Sequence, residues 1–391
     1  MIPRALHVSG TLERLITESW VEPNSIQAKL LPGKRAAGRF HADLTSARVE
    51  SAGLSALFFE MRTRVVHALD GSGWQTVVAR NKWFDAFAGT RLARGGKAAC
   101  DGGVYFSYSY STSASLQRAK NLGYRVVLGQ IDGGFYEEQL VLQEQAKYPQ
   151  LQDRFRRAPN EYWTRWRSEC EMADRIIINS EWTARCLAAS GVALEKIRLV
   201  PLFYVPPAIA MEIAAERVVP AAFSTSRPLR VLFLGQVILR KGLGPLIEAM
   251  RMLKGRPVEF WFVGAVGLVF PEDIWQLHSF RAFGARPRQD VVKFYRDADV
   301  FILPTVSDGF AMTQLEAQAF GLPIIVSKNC GSVVRNGIDG IVLSESNAQS
   351  ICDALTKIIS SPDQLTAMSR NILHGDSDIA NYADSLKRAA E

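Results

Sequence analysis

The sequence predicts an α/β protein with two doubly wound domains that face each other across a cleft. Three observations predict this fold. The chain has 391 residues, which is too long for one ordinary hydrophobic core. Strand-like and helix-like patterns alternate in two separate stretches, as parallel βαβ units require. Between the two stretches lie four prolines among small residues: Pro206, Pro207, Pro220 and Pro228.

This break sets the predicted boundaries. Residues 1–205 form an N-terminal Rossmann-like domain, residues 206–228 a linker, and residues 229–375 a C-terminal Rossmann-like domain, with a final helical segment at residues 376–391. In open α/β sheets, ligands bind beyond the carboxyl ends of the strands, so the expected site lies in the cleft between the domains.

In the N-terminal half, residues 1–50 give no clear pattern. After them, alternating apolar runs predict strands at residues 74–79, 104–110, 125–131, 175–179 and 197–201. Apolar residues at helical spacing predict helices at residues 54–69, 114–122, 161–173 and 181–189.

The same alternation resumes after the linker. The predicted strands are residues 230–234, 258–263, 300–303 and 324–326. The predicted helices are residues 244–253, 288–296, 313–320, 348–360 and 380–390.

Composition favours a soluble, cytoplasmic protein. Hydrophobic residues make up 48% and charged residues 22% of the chain, as in ordinary globular proteins. The longest nearly apolar run, residues 258–270, falls short of the roughly 20 residues that cross a bilayer, and the first residues lack the apolar core of a secretory signal. The five cysteines are scattered without a C-x-x-C pair, which favours reduced thiols over a disulfide or zinc framework.

The net charge of +7 lies entirely in the N-terminal half. Residues 1–205 hold 27 basic and 20 acidic side chains, and the remainder holds 19 of each. Such an excess favours anionic partners, for example the inner face of an anionic membrane or a phosphorylated lipid carrier. A basic, solvated face with no partner fits equally well. Nucleic acid is not expected, because no recognition motif accompanies the spread-out charges.

The most informative stretch joins a buried strand to a helix. It reads D-A-D-V-F-I-L-P-T-V-S-D-G-F-A-M-T-Q-L-E-A over residues 297–317. Unpaired N–H groups at the start of such a helix bind phosphate. Asp308 in the loop and Glu316 in the helix are spaced to hold the two ends of a nucleotide sugar. A solvated loop acid and a helix surface acid remain the alternative from these residues alone.

This stretch resembles the motif of the GT4-type retaining glycosyltransferases, which have the GT-B fold of two Rossmann-like domains. The family pattern is E-G-F-G-x-x-x-x-E-A-M-A-x-G-x-P, and residues 308–323 read D-G-F-A-M-T-Q-L-E-A-Q-A-F-G-L-P. Residues 229–370 resemble the family throughout, including the loop from Leu234 to Gly242 and the strand end at Phe262–Gly264.

The resemblance implies a hexosyltransferase that uses a nucleoside-diphosphate sugar and a glycan or lipid-linked acceptor, with retention at the anomeric carbon and without a metal or other cofactor. Glu316 would bind the ribose, Asp308 the transferred hexose, and Lys241, helped by Arg240, the leaving diphosphate. The implied donor-binding set is Gly235, Gln236, Lys241, Gly264, Asp308, Gly309, Phe310, Ala311, Met312, Thr313, Leu315 and Glu316.

Two positions depart from the family pattern. The family has an arginine where this chain has Gln236, and a histidine before the aspartate that corresponds to Asp132, where this chain has Ile131. Asp132 is expected at the reacting centre, and Gly133 and Gly134 beside the acceptor. Gly53 is the candidate for the family's acceptor-facing glycine loop. The segment Glu169–Trp182 also resembles the family. The final helix is expected to return to the N-terminal domain.

The triplet Asp297–Ala298–Asp299 spells D-x-D, a metal signature of a different glycosyltransferase fold. It precedes a buried strand, which favours a structural role for Asp299 and no metal site. Gln236 and Ile131 leave a second hypothesis open, a catalytically silent protein that binds nucleotide sugar or glycan as a regulatory or partner subunit. A nicotinamide oxidoreductase is disfavoured, since no G-x-G-x-x-G follows a first strand.

Overall fold

The computed structural model describes residues 1–23, 25, 40–53, 55–56, 59, 73–93, 102–373 and 378–391. The helix predicted at residues 54–69 lies almost wholly outside these ranges. Gly53 is described and has a φ of +53°.

The N-terminal half is built around four parallel strands in the order β3-β4-β5-β6. These are β3 (Val104–Tyr108), β4 (Arg125–Gln130), β5 (Arg175–Ile178) and β6 (Ile197–Leu199). A separate parallel pair joins β1 (Leu15–Thr17) to β2 (Val49–Ser51). The helices are α1 (Ile2–Val8), α2 (Trp74–Ala93), α3 (Ser113–Asn121), α4 (Gly134–Lys147), α5 (Asn160–Met172) and α6 (Glu181–Ala189).

The C-terminal half contains a six-stranded parallel sheet in the order β12-β11-β10-β7-β8-β9. Its strands are β7 (Leu229–Leu234), β8 (Val258–Val263), β9 (Phe280–Gly284), β10 (Val300–Leu303), β11 (Ile324–Val326) and β12 (Gly340–Val342). Strands β10 and β11 are continuous apolar runs that are buried along their whole length, because helices cover both faces of the sheet.

The helices of this half follow the strands in alternation. They are α7 (Ala208–Ala215), α8 (Leu243–Met252), α9 (Glu272–Trp275), α10 (Arg288–Asp297), α11 (Met312–Ala319), α12 (Ala348–Ser360), α13 (Pro362–Asn371) and α14 (Ile379–Ala390). Among the helices that the structure describes, none has both the length and the hydropathy that a membrane crossing requires.

The predicted strand at residues 74–79 is wrong, because these residues begin the long helix α2. The buried positions of α2 are Asp85, Ala88, Gly89 and Leu92, which have the i, i+3, i+4, i+7 spacing of a helix face. Because Asp85 is charged, the sequence does not show the apolar periodicity that would identify this helix face. The Asp85 carboxylate accepts hydrogen bonds from the Ala114 and Ser115 N–H groups, both at 2.8 Å, and so caps the start of α3.

Helix α4 was not predicted, for a related reason. Its buried face consists of Gly134, Glu138, Val141 and Glu144. Glu138 accepts hydrogen bonds from the Ala158 N–H at 2.6 Å and from Trp163 Nε1 at 2.9 Å. Buried acids with such partners are tolerated in a core, but they interrupt the apolar periodicity that predicts a helix.

The ends of the two sheets face each other. The segment 206–228, predicted as a linker, contains α7, which packs on the C-terminal half, where Ala214 lies against Gly321. Helix α14 packs instead on the N-terminal half, where Tyr382, Ala383 and Leu386 share a buried cluster with Val127 and Ile177. The carboxyl ends of β4, β7 and β10 therefore lie at one cleft.

Candidate active site in the interdomain cleft

A cavity of about 340 Å³ lies in the cleft. The N-terminal half supplies one wall through the loop after β4, helix α4 and the loop before α5. The C-terminal half supplies the other through the loops after β7 and β10. The lining residues are Ile131, Asp132, Glu137, Val141, Asp153, Phe155, Ile238, Arg240, Asp308 and Gly309.

Lys241 and Asp308 meet at this site. Lys241 ends the loop after β7, and its ammonium donates a hydrogen bond to Asp308 Oδ2. Both side chains are largely buried, at 14% and 12% exposure. Burial and the Arg240 guanidinium lower the pKa of the Lys241 ammonium to about 7, and the Glu137 carboxylate acts in the opposite direction. An ammonium group whose charged form is destabilised by burial is stabilised when an anionic ligand binds beside it.

Two glycines allow these loops to approach each other. Gly242 follows Lys241 with a φ of +80°, and a Cβ there would lie 2.0 Å from the Pro304 carbonyl oxygen. Gly264, at the end of β8, faces Gly235 so closely that a Cβ would lie 1.7 Å from the Gly235 oxygen. Only glycine fits such contacts.

Arg240 is held across the cleft. Its Nη1 donates to the Ser307 carbonyl at 3.0 Å and lies 3.6 Å from Glu137 Oε1. Glu137 also accepts from the Ser307 hydroxyl at 2.6 Å. Burial and the neighbouring Asp132 raise the pKa of Glu137, although Arg240 opposes this shift. Gln236, in contrast, has an exposed side chain at the rim of the loop.

The loop before α11 is fastened to the N-terminal half. The Gly309 carbonyl accepts hydrogen bonds from the Ser180 hydroxyl and, at 3.4 Å, from the Thr183 hydroxyl. Trp182 Nε1 donates to the Ser307 hydroxyl at 2.9 Å. Ile131 contacts Gly309 so closely that a Cβ on the glycine would lie 1.7 Å from the Ile131 carbonyl oxygen. The cleft is therefore closed at this point.

The start of α11 is oriented toward the cleft by an unusual residue. Ala311 is the N-cap with a φ of +63° and no side-chain hydrogen bond. Phe310 is buried, and Met312, Thr313 and Leu315 are partly buried. The first N–H groups of a helix that has no side-chain cap are free to bind an anion.

Glu316 lies in the second turn of α11, apart from the cavity-lining residues. Its Oε2 accepts from the Tyr295 hydroxyl at 2.8 Å, and Arg288 lies 3.7 Å from its Oε1. Tyr295 stacks on Phe320 with 4.9 Å between the ring centroids, which fixes its hydroxyl. The Glu316 carboxylate, 21% exposed, is therefore held in place and open on one side.

On the N-terminal wall, Asp132 lines the cavity and its Oδ1 accepts from Tyr110, Gln130 and the Gly134 N–H. Gly133 and Gly134 are buried beneath it. Gly134 has a φ of +60°, and a Cβ there would lie 2.7 Å from the Trp166 ring. Ile131 is 57% exposed at the mouth of the cavity. Gly53 is not among the residues that line this cavity.

The D-x-D triplet contributes nothing to the cleft. Asp299 is buried, and its two carboxylate oxygens accept hydrogen bonds from the Arg227 guanidinium at 2.7 and 2.8 Å and from the Arg230 N–H at 2.8 Å. Within the part of the chain that the structure describes, no three histidine, cysteine, aspartate or glutamate side chains are grouped as metal ligands.

Sequence reasoning missed several residues that shape the site: Tyr110, Gln130, Glu137, Asp153 and Ser307. Asp153 Oδ2, for example, accepts from the Leu239 N–H at 2.7 Å and so ties the loop before Lys241 to the other half of the molecule. None of them carried a usable local signal, because even Glu137, an acid in the first turn of a helix after a glycine pair, lies in a helix that the sequence pattern does not predict.

Comparisons with known proteins agree with this geometry. Residues 221–374 match the family model described as glycosyl transferases group 1. The amylovoran biosynthesis glycosyltransferase AmsK of Erwinia amylovora is 28% identical over 152 residues, which cover 34% of this chain and 36% of that protein. A Campylobacter jejuni α-1,3-N-acetylgalactosaminyltransferase, which by name acts on N,N'-diacetylbacillosaminyl-diphospho-undecaprenol, is 28% identical over 138 residues, covering 33% of this chain and 35% of that protein. The match thus spans about a third of the length of these relatives.

Solved structures resemble the whole chain. Sucrose-phosphate synthase from Thermosynechococcus elongatus superposes with a TM-score of 0.59 at 17% identity, covering 100% of this chain and 89% of that one. HepE from Anabaena, solved with UDP-glucose, has a TM-score of 0.56 at 13% identity, covering 96% of this chain and 98% of that one. Residues 221–374 are thus similar to the glycosyl transferases group 1 family, and the chain has the GT-B fold.

Proposed function

We propose that this protein transfers a hexose from a nucleoside-diphosphate sugar to a glycan or lipid-linked acceptor, with retention at the anomeric carbon and without a metal. The observation that carries the proposal is a cavity between the two halves that is lined by Arg240 and by Asp308, which accepts a hydrogen bond from Lys241. Relatives named as glycosyltransferases and the solved complex of HepE with UDP-glucose support it.

The proposed donor site follows the charge of its residues. The diphosphate would lie between the Lys241 ammonium and the uncapped start of α11, where both the cation and the helix dipole favour an anion. Negative charge grows on the diphosphate as the glycosidic bond breaks, so these groups stabilise the transition state more than the ground state. Glu316, held by Tyr295, would accept the ribose hydroxyl hydrogen bonds.

Donor binding would also rearrange the ion pair. In the free protein Asp308 accepts the Lys241 hydrogen bond. When the diphosphate takes the ammonium, the Asp308 carboxylate is released to accept hydrogen bonds from hexose hydroxyls. The acceptor would enter from the N-terminal wall, beside Asp132 and the Gly133–Gly134 turn, and the closed cleft would keep water away from the reacting carbon.

The test is calorimetric binding of UDP, GDP, ADP and their glucose derivatives in the presence of EDTA. We expect one base to be preferred. Lys241→Ala and Glu316→Ala should each weaken its binding about 10- to 100-fold, since a hydrogen bond to a charged group contributes about 1.5–3 kcal/mol. Exposed residues of the same half offer matched controls, and Lys254→Ala and Glu272→Ala should bind like the wild type.

Two results would contradict the proposal in different ways. If a protein with a normal melting curve bound none of the nucleotides, the chain would share the fold but lack the donor site. Binding without release of nucleoside diphosphate in the presence of any glycan or lipid-linked acceptor would instead favour the silent partner subunit, which the exposed Gln236 and Ile131 at the cleft suggest.

A further inference from the structure

A chain of hydrogen bonds lies behind Asp132, and its proton positions are fixed by chemistry. Trp166 is fully buried, and its Nε1 donates to Gln130 Oε1 at 3.0 Å. An indole nitrogen can only donate, so the amide oxygen of Gln130 must face Trp166. The amide nitrogen of Gln130 then faces the opposite way, toward the Tyr110 hydroxyl at 2.8 Å and Asp132 Oδ1 at 2.7 Å.

This orientation also fixes the hydroxyl proton of Tyr110. The hydroxyl oxygen accepts from Gln130, so its own proton goes to Asp132 Oδ1. The Gly134 N–H donates to the same oxygen at 2.9 Å. Three donors therefore converge on Oδ1, so this oxygen acts only as a hydrogen-bond acceptor. Among the described residues none donates to Oδ2, and Asp132 lines the cavity.

Tyr110 is held in a conformation that tyrosine rarely adopts. Its φ is +79°, an outlier for a bulky residue. The buried Glu169 maintains it by accepting the Tyr110 N–H at 2.6 Å and the Thr112 N–H at 3.0 Å. The Tyr110 ring also stacks on Tyr162 with 4.9 Å between centroids. Backbone strain of this kind persists where the surroundings enforce it, and it is concentrated at functional sites.

We propose that Tyr110 and Gln130 are positioning residues that fix the Asp132 carboxylate through Oδ1, so that Oδ2 accepts a hydrogen bond from the acceptor hydroxyl. In the proposed transfer the hydroxyl oxygen bonds to the anomeric carbon, the bond from that carbon to the diphosphate oxygen breaks, and the departing diphosphate takes the hydroxyl proton. This assignment rests on the proposed function. It assigns different roles to the two oxygens of one carboxylate: Oδ1 accepts hydrogen bonds from the protein, and Oδ2 accepts one from the substrate.

Other charged or titratable groups also act on Asp132 and are unchanged in Tyr110→Phe. Helix α4 contributes Glu137, α6 contributes Cys186, α5 contributes Tyr162, and the facing cavity wall contributes Arg240 and Asp308. A difference between a Tyr110 variant and the wild type therefore reports the lost hydrogen bond.

The first experiment needs no substrate. Protein labelled with ¹³C at aspartate carboxyl groups is titrated by NMR, with the Asp132 signal assigned from Asp132→Asn. Loss of a hydrogen bond to the charged form favours the protonated form, so the Asp132 carboxyl signal should change at higher pH in Tyr110→Phe than in the wild type. Tyr162→Phe is the matched control, because it removes a hydroxyl from the same stacked pair but no bond to Asp132. Its titration should match the wild type.

The second experiment measures turnover of the glucose nucleotide that the wild type binds best among those of UDP, GDP and ADP. We expect kcat in Tyr110→Phe to fall about tenfold and its acid limb to move to higher pH, while KM for the donor stays unchanged. Equal losses in Tyr110→Phe and Tyr162→Phe would overturn the proposal in favour of simple packing, as would an unshifted Asp132 titration. If the wild type turns over none of the three sugars, the proposed function fails, and the NMR titration alone decides whether Tyr110 holds Asp132.

Discussion

At the scale of single residues, the site contains charged side chains whose burial costs free energy until a ligand binds. Lys241 illustrates this. Its ammonium is desolvated and lies beside Arg240, and these two causes lower its pKa to about 7. Its partner in the free protein is Asp308, a residue that we assign to the hexose. A diphosphate group would replace Asp308 as the anionic partner of this lysine.

We therefore predict that donor binding takes up protons at pH 8. The free protein holds Lys241 largely neutral above pH 7, and the bound diphosphate raises the lysine pKa by stabilising the ammonium form. Uptake should approach about one proton per site at pH 8 and vanish near pH 6, where the lysine is already charged. Calorimetry with UDP-glucose, or whichever sugar nucleotide binds best, in buffers of different ionisation enthalpy measures it directly.

Lys241→Arg is the control for this prediction. An arginine remains protonated in either state, so the variant should bind the sugar nucleotide without the proton uptake of the wild type. Sugar nucleotides are the suitable ligands, because they lack the terminal phosphate that would itself titrate. A wild-type enthalpy at pH 8 that is the same in all buffers would show that Lys241 is charged before the donor arrives.

The residues of the C-terminal motif could be predicted from the sequence because their signal is local. Asp308 and Glu316 lie within nine positions of one another, on a strand–loop–helix unit that the apolar pattern predicts. Tyr110 and Glu137 could not, because they act through contacts 22 to 170 positions away along the chain. A tyrosine or glutamate whose role depends on so distant a partner leaves no local pattern in the sequence.

At the scale of elements, the errors at α2 and α4 have one physical cause. Helices α2 and α4 carry Asp85, Glu138 and Glu144 on their buried faces. Asp85 and Glu138 accept hydrogen bonds from backbone N–H and indole donors of other elements, which offset the cost of burying an acid. A one-dimensional pattern cannot show these partners. Five helices of the C-terminal half, α8, α10, α11, α12 and α14, were predicted to within one or two residues, whereas α7, α9 and α13 were not predicted.

Helix α11 begins with the positive φ of Ala311, at a position where the family pattern has glycine. We predict that Ala311→Gly is close to neutral for stability. The substitution relieves a left-handed alanine, which costs about 1–2 kcal/mol, but it loses a partly buried methyl group and adds about 0.5–1 kcal/mol of backbone entropy.

The matched control is Ala317→Gly in the same helix, at a fully buried position with ordinary helical geometry. It gains no relief of strain and should lower the free energy of unfolding by about 1.5–2 kcal/mol. Thermal unfolding, followed through the transition that nucleotide shifts, measures both variants. Equal destabilisation by the two substitutions would show that the left-handed turn at Ala311 is not strained.

At the scale of the whole molecule, the two halves are joined by polar contacts across the cleft and by the chain itself. Trp182, Ser307 and Glu137 form one hydrogen-bonded series between the halves. Ser180 and Thr183 bind the Gly309 carbonyl. The two-domain fold was predictable from the alternating patterns. The position of one domain relative to the other depends on these hydrogen bonds, and no periodicity in the sequence encodes them.

Helix α14 makes the N-terminal half depend on the last residues of the chain. Leu386 is 3% exposed and packs in the cluster that contains Val127 and Ile177, while Arg125 donates to the Ala390 and Glu391 carbonyls at 3.2 and 2.9 Å. We predict that Leu386→Ala lowers the free energy of unfolding of the N-terminal half by about 2–5 kcal/mol, the range for removing a buried leucine side chain.

Scanning calorimetry with and without the preferred nucleotide separates the two halves. The nucleotide should raise the melting temperature of the half that binds it, and Leu386→Ala should lower that of the other half. Leu199→Ala is the control, since that leucine is 45% exposed on the same half and its loss should change little. If Leu386→Ala lowered only the nucleotide-sensitive transition, α14 would stabilise the half from which it emerges, and the packing seen against β5 would carry little of the stability of the N-terminal half.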